Sequence, residues 1–431
     1  MVEGSVLTTG ANGFEPHELR ASALGEIHAR PFAAISTPSR VLHFAFTSDA
    51  AGAERAVDDL VALCAARGLP TPDRSAKQIR VDLAPARLAF ERHGEFLTYT
   101  WIFPGERKSF EPSPGFLQDP MRLIAQPGPL LAATDLHLLP AADAPEDVDT
   151  LFVGPTVAAS SIDEGRAVVA TDFMADTFGF VRILVADKSL SPSSAGALVQ
   201  RLLEIETYRM LALIGLPMAL RLSPSIRRTE AELPALLASM ERDRGLAADR
   251  ALLDRLTALA TEVETGAAEG LFRLGATRAY HQLVVARLEA IKETRIPHHS
   301  TIGSFLDRRL TPAIRTCATI EQSQANLSSK IARIAELLRT RVDIELESQN
   351  ADQIKQMAER VRLQLRLQQT VEGLSIAAIT YYVSSVLHLL FEGAHGAGAQ
   401  IDPDIATGAA VPFVFAVIAF VVWRIRHAHK E

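Results

Sequence analysis

The sequence predicts an α+β cytoplasmic domain, then a helical bundle, a long stalk helix and a two-helix transmembrane hairpin at the C-terminus. Three observations carry this reading. Short apolar or alternating runs crowd the first 187 residues, the tract from about Ala313 to Gln369 has neither proline nor glycine, and two uncharged apolar stretches lie near the end. In order, residues 1–187 form the α/β domain, 188–300 the helical domain, 301–373 the stalk, 374–423 the hairpin and 424–431 a basic tail.

With 48% hydrophobic and 22% charged residues in 431, the chain has ample apolar surface to bury, which excludes disorder along its length. A net charge of -7 argues against a protein that coats nucleic acid. Two cysteines, Cys64 and Cys317, cannot build a disulfide framework or a cysteine zinc cluster, and suit a reducing compartment as buried thiols. The segment Met1 to Leu7 has no basic stretch leading into an apolar core, so no signal peptide is predicted.

In the first domain, Arg40 to Thr47 and Ile79 to Leu83 read as strands, with a helix over Ala51 to Arg67 between them. Arg87 to Phe103 fits a hairpin turning at His93-Gly94, which puts Leu88, Phe90, Leu97, Tyr99 and Trp101 on one face. Arg166 to Phe173 and Phe178 to Val185 make a further strand pair, while the Pro-rich stretch Phe110 to Pro140 reads as a covering loop. Ser191 caps a helix that has Pro192 at its first position. Met210 to Leu222, too short to span a bilayer, reads as a core helix, and Glu230–Met240, Ala248–Glu264 and Leu271–Ile291 follow as separate helices.

The stalk carries Ile320, Gln324, Leu327, Ile331, Ile334 and Leu338 at alternating steps of three and four. Ile354, Met357, Val361, Leu365 and Gln368 resume the seam in a shifted phase. About 55 helical residues extend roughly 80 Å. Such a helix either packs back on its own domain or also pairs with copies of itself, and the polar middle favours the second, hence a homo-oligomer. No turn separates it from the first span, since Gly373 stands alone.

Leu374 to Phe391 and Ile405 to Trp423 are each close to the length that crosses a bilayer core of about 30 Å. The alternative, a buried hairpin in a soluble core, leaves the flanking charges unexplained. Arg360, Arg362 and Arg366 precede the first span, and Arg424, Arg426 and Lys430 follow the second, while the loop has no Lys or Arg. By the positive-inside tendency both ends face the cytoplasm, which makes a multi-pass protein of the bacterial inner membrane. Tyr381, Ser384 or Ser385, and His388 share one face of the first span. Polar groups in hydrocarbon need a partner or water, so this face is either helix-packing glue or the lining of a pore. Glu392, Asp402 and Asp404 lie in or beside the loop, where acids can concentrate cations at an outer mouth.

Phosphate-binding, dinucleotide, nucleophile-elbow, zinc-protease and EF-hand motifs are absent, which lowers the odds of an enzyme and assigns no catalytic residue. Two clusters could hold a cytoplasmic ligand or a divalent cation: Glu26, His28 and Arg30 in GEIHARPF, and Glu91, His93 and Glu95 around the predicted turn. Surface turns and structural salt bridges are the alternative for both. His298-His299 reads as a polar linker.

The segments ELRASALGEIHARPF, FERHGEFLTYTW, LVQRLLEIETYRMLAL, GATRAY, LLRTRVDIELESQN and LQLRLQQTVEGLSIAAITYY resemble a bacterial family of membrane-anchored proteins of unknown function, over nearly the whole chain. In outline the arrangement is also similar to CorA-type magnesium channels, with a long helix entering the first span, a short outer loop and a second span. That likeness implies a symmetric ring with the first span along a cation path. Those channels carry Gly-Met-Asn at the outer end of this span, whereas Phe391-Glu392-Gly393-Ala394-His395 stands here, so their mode of ion selection does not carry over. The leading expectation is an oligomeric cation channel or transporter; the alternative is a membrane-tethered scaffold or ligand sensor.

Overall fold

A computed structural model describes residues 17–20, 24, 32–105, 110, 120–400 and 402–428. The chain divides into two compact units, one of Met1–Ala238 with Arg255–Arg333, the other of Ser239–Asp254 with Ile334–Glu431.

The first unit is built on a sheet. Its strands are β1 (Ser39–Thr47), β2 (Gln78–Leu83), β3 (Ala86–Arg92), β4 (Phe96–Pro104), β5 (Leu130–Pro140), β6 (Ala158–Ile162), β7 (Ala167–Ala175), β8 (Val181–Asp187) and the two-residue β9 (Thr294–Arg295). Among the described residues they stand in the order β2-β3-β4-β1-β5-β8-β7-β6-β9, antiparallel except for β5 beside β8. The helices are α1 (Ala50–Ala66), α2 (Pro192–Leu213), α3 (Gly215–Arg242), α4 (Leu246–Ala290), α5 (Ile302–Gly396) and α6 (Pro403–Ala428).

Strand alternation sends side chains to two faces, and each face meets helices of matching polarity. One face, with Leu42, Phe44, Leu88, Phe90, Tyr99 and Trp101, packs with Val57, Leu60 and Cys64 of α1. The β3–β4 register sets Leu88 opposite Trp101 and Phe90 opposite Tyr99, as the hairpin pattern predicts. The opposite face, with Val41, Leu136, Leu138, Ile183 and Val185, packs with Leu198, Val199 and Leu202 of α2, Val284 of α4 and Phe305 and Leu306 of α5. Cys64 and Cys317 are both buried free thiols.

Three elements differ from expectation. Leu130–Pro140 is not loop but an eleven-residue strand in the middle of the sheet, between β1 and β8. Asp135 and His137 break its apolar run, yet both are buried, because Asp135 takes a two-pronged hydrogen bond from Arg40 of β1 at 2.9 and 2.6 Å and lies 3.3 Å from His137. The apolar piece Met210–Leu222 is split at Ile214, and Pro217 falls in the first turn of α3, where no N–H is needed. The carbonyls of Leu211 and Ala212, at the end of α2, accept from Arg273 at 3.4 Å and Thr277 at 3.1 Å of α4. Finally, α4 runs unbroken through Gly266 and Gly270; a Cβ on Gly270 would meet Leu222 of α3 at 2.9 Å, so these glycines admit a close neighbour and do not end the helix.

Along α5, Gln324, Leu327 and Ile331 are buried within the first unit, with the Gln324 amide donating to the Val263 carbonyl of α4 at 3.1 Å. That stretch therefore packs back on its own domain.

In the second unit, Arg341 of α5 closes the α3–α4 turn. It donates to the carbonyls of Met240 at 2.7 Å and Asp243 at 3.2 Å and sits 3.1 Å from the buried Asp249 carboxylate. Among the described residues two helices carry a stretch long and apolar enough to cross a membrane: α5 and the Pro403–Ile425 part of α6. Gly373 does not interrupt α5.

Candidate functional site

On the α2-facing side, the β2-β3-β4-β1 half of the sheet replaces apolar residues with polar ones. The register aligns Arg80, Ala89, Thr100, His43 and Thr134 in one row across five strands, and Gln78, Glu91 and Thr98 in the next. With α2 beside it, this surface forms a cleft of about 70 Å³ whose lining includes His43, Gln78, Glu91, His93, Thr207 and Tyr208.

His43 is fixed at both ring nitrogens. Nδ1 lies 2.8 Å from the Thr100 hydroxyl and Nε2 lies 3.1 Å from that of Thr207 on α2. Burial pushes its pKa down to about 4, outweighing the attraction of Glu91, so the imidazole is neutral. Burial works against the charge of Glu91, but the hydrogen bond and charge of His93, with a 2.7 Å bond from Gln78, hold its carboxyl below the usual range. The His93 ring stacks flat on Phe96, with centroids 4.1 Å apart. A neutral imidazole and an ionised carboxylate thus share one largely buried cleft, with hydroxyls holding the ring's orientation.

Close to the cleft runs a polar network. Arg273 of α4 grips Glu95 at 2.8 and 3.2 Å, and burial with the nearby Glu95 raises the Tyr280 phenol above its usual range. Tyr280 stacks on Tyr208, and Glu204 of α2 is bonded by Gln200 at 3.0 Å and by Arg287. Glu204 and Tyr208 also line the cleft.

The structure brings Glu91 and His93 into one site and commits Glu95 to Arg273. Glu26, His28 and Arg30 lie outside the described residues. Among the described residues no group of three His, Cys, Asp or Glu stands ready to hold a metal ion. His299 accounts for itself as a contact of Asp149 at 3.0 Å, which raises its pKa. On the first apolar helix, His388 reaches Thr407 of α6 at 3.0 Å, Ser385 donates back to the Tyr381 carbonyl at 2.9 Å, and Tyr381 itself is exposed in the single chain. The Ser384 hydroxyl is shielded and has no partner among the described residues. Asp402 caps α6 by accepting from the backbone of Asp404 at 3.0 Å and Ile405 at 3.3 Å, while Glu392 and Asp404 are exposed.

His43, Thr100 and Thr207 escaped the sequence reading because they come from three elements. The signal for His43 was present: one imidazole inside the apolar strand RVLHFAFT. Nothing local marks Thr207 on α2, whose partner lies 164 positions away.

Residues 15–429 match the family described as Protein of unknown function (DUF3422), and the chain belongs to that family. No curated protein matches the chain.

Proposed function

We propose that this member of the family is a membrane-tethered ligand sensor of the bacterial inner membrane, with both ends in the cytoplasm and the sheet-bearing body binding a small donor-rich ligand in the His43–Glu91 cleft. The single observation behind this is Glu91, mostly buried yet held ionised, which lines a cavity as well as meeting His93 at 3.5 Å and the Gln78 amide at 2.7 Å. A buried charge costs several kcal/mol unless well partnered, so a cavity next to it is a place for a partner. At roughly 10–15 Å³ per water position, the cleft takes about five non-hydrogen atoms. An ammonium or guanidinium head fits that size and complements Glu91, Glu204 being taken already by Arg287 and Gln200.

The test is calorimetry of the full chain in nanodiscs with methylguanidine and methylamine as probes. Saturable binding that weakens at least tenfold in Glu91→Gln supports the reading. Absence of binding by the wild type, or equal binding by the variant, ends it.

A CorA-like cation channel is the second reading, favoured by the shielded, unpartnered Ser384 hydroxyl and by the acids Glu392 and Asp404. It ranks lower because His388 is engaged by Thr407 and Asp402 by a helix end. Divalent-ion flux into liposomes that falls in Ser384→Leu and His388→Ala would restore it; unchanged protein-dependent flux removes the pore assignment.

A further inference from the structure

A second cavity of the first unit, about 320 Å³ in volume, lies where β7 faces α2 and α5 and is unrelated to the His43–Glu91 cleft. Its aromatic wall is Phe173 and Phe305, with ring centroids 5.5 Å apart, and Leu213 and Leu310 extend the apolar lining. Two guanidinium groups flank the pair: Arg209 lies 5.4 Å from the Phe173 ring centroid and Arg309 lies 3.7 Å from that of Phe305.

The backbone at this wall is unusual. Phe173 has φ of +54°, in the left-handed region, at a break in the β7–β8 register between Thr171 and Ala175. For a bulky residue this conformation costs on the order of 1–3 kcal/mol and persists only where its surroundings enforce it. Here they do: the Thr171 hydroxyl donates to the Arg182 carbonyl at 2.7 Å and accepts from the Phe173 N–H at 3.2 Å. On the neighbouring residue, the Asp172 carboxylate accepts from the Gly154 and Met174 backbones at 2.8 and 3.0 Å. An unstrained strand residue would follow the alternation of β7; the bulge re-aims this ring beside the cavity.

The two arginines differ in charge still on offer. Arg209 is forked by the buried Glu206, with Nε 2.9 Å from the carboxylate. Arg309 makes no ion pair among the described residues and lies over the Phe305 ring. Asp172 also lines the cavity, but its carboxylate is held by the Gly154 and Met174 N–H groups; the exposed Arg309 at the edge is left to pair a negative charge carried on an apolar body. We propose that this cavity is a binding site for an organic monoanion, a carboxylate on an aromatic or short aliphatic body, with Arg309 pairing the carboxylate and Phe173 and Phe305 taking the body.

The test uses the full chain in nanodiscs, titrated calorimetrically with 4-phenylbutyrate, 4-phenylbutanol and 4-phenylbutylamine. The acid is expected to bind saturably, the alcohol at least tenfold more weakly and the amine not at all. Arg309→Gln, an exposed position, is expected to weaken the acid at least tenfold without changing the melting temperature, with Arg309→Lys intermediate. Phe173→Gly suits the left-handed backbone and is expected to abolish binding. No saturable binding of the acid, equal binding of all three probes, or full affinity in Arg309→Gln overturns the proposal. Failure of the methylguanidine experiment at the other cleft leaves this one intact, since no lining residue is shared.

Discussion

His388 Nδ1 lies 3.0 Å from Thr407 Oγ1, and the direction of that bond follows from Thr407's other contact. The threonine hydroxyl has one proton, and it goes to the Pro403 carbonyl at 2.7 Å. The imidazole therefore donates through Nδ1, and the hydroxyl accepts. A polar pair between apolar helices contributes about 0.6–1.7 kcal/mol in membranes. Thr407→Val, which keeps the shape and removes the acceptor, is expected to lower the hairpin's unfolding free energy by about 1 kcal/mol. Denaturation in mixed micelles measures this, and Ser385→Ala, which loses only a bond to its own helix, is the control.

His43 makes stability depend on pH in a defined window. Its folded pKa, about 4, lies below the ordinary 6.5, so between these values the unfolded chain binds the extra proton. Stability is fully present above about 6.5 and falls as the pH drops toward 4, by about 3 kcal/mol at 1.36 kcal/mol per pH unit. Chemical denaturation of wild type and His43→Gln at pH 7 and pH 4.5 checks this. The variant is expected to start less stable and to lose less over the interval.

Arg40 and Asp135 sit at the centre of the sheet with side chains 4% and 3% exposed, so neither charge has water to fall back on. Burial opposes the Asp135 charge, yet hydrogen bonds from His137 and Arg40 hold its carboxyl below the usual value. Asp135→Asn removes the charge that receives both of these guanidinium bonds and is expected to cost about 3–5 kcal/mol. Replacing both partners, Arg40→Met with Asp135→Leu, is expected to recover most of that, because desolvation of two ions offsets much of their attraction. Urea denaturation of the three proteins measures the difference.

The same pair explains why part of the fold was illegible. Strands of pure alternation, such as the β3–β4 hairpin, could be read with their register, because each inward position is apolar. In β5 the inward positions include Asp135 and His137, and their partners lie on another strand, so local pattern argued for loop. Gly266 and Gly270 misled in the opposite sense, since a helix tolerates glycine where a neighbour comes close. Of the cleft, only the turn residues Glu91 and His93 stood out locally. His43, Thr100 and Thr207 meet only once the sheet and α2 are assembled.

The stretch of α5 ahead of its apolar end carries a second seam. Ile354, Met357, Val361 and Leu365 are 66%, 67%, 54% and 53% exposed in a single chain, whereas Leu327 and Ile331 earlier on the helix are 1% exposed. Both stretches use steps of three and four, so both are seams, but among the described residues only the earlier one is buried within its own chain. Leaving four large apolar side chains in water along one stripe is unfavourable by roughly 1.5–3 kcal/mol each relative to full burial. A second copy of the same helix offers a stripe of matching spacing. The wild type is expected to be oligomeric in detergent by light scattering and Ile354→Lys with Val361→Lys monomeric, whereas Glu359→Lys, between them in sequence, is expected to keep the wild-type mass. Monomeric wild type, or an oligomer that survives the double substitution, would show that the stripe is not the interface between copies.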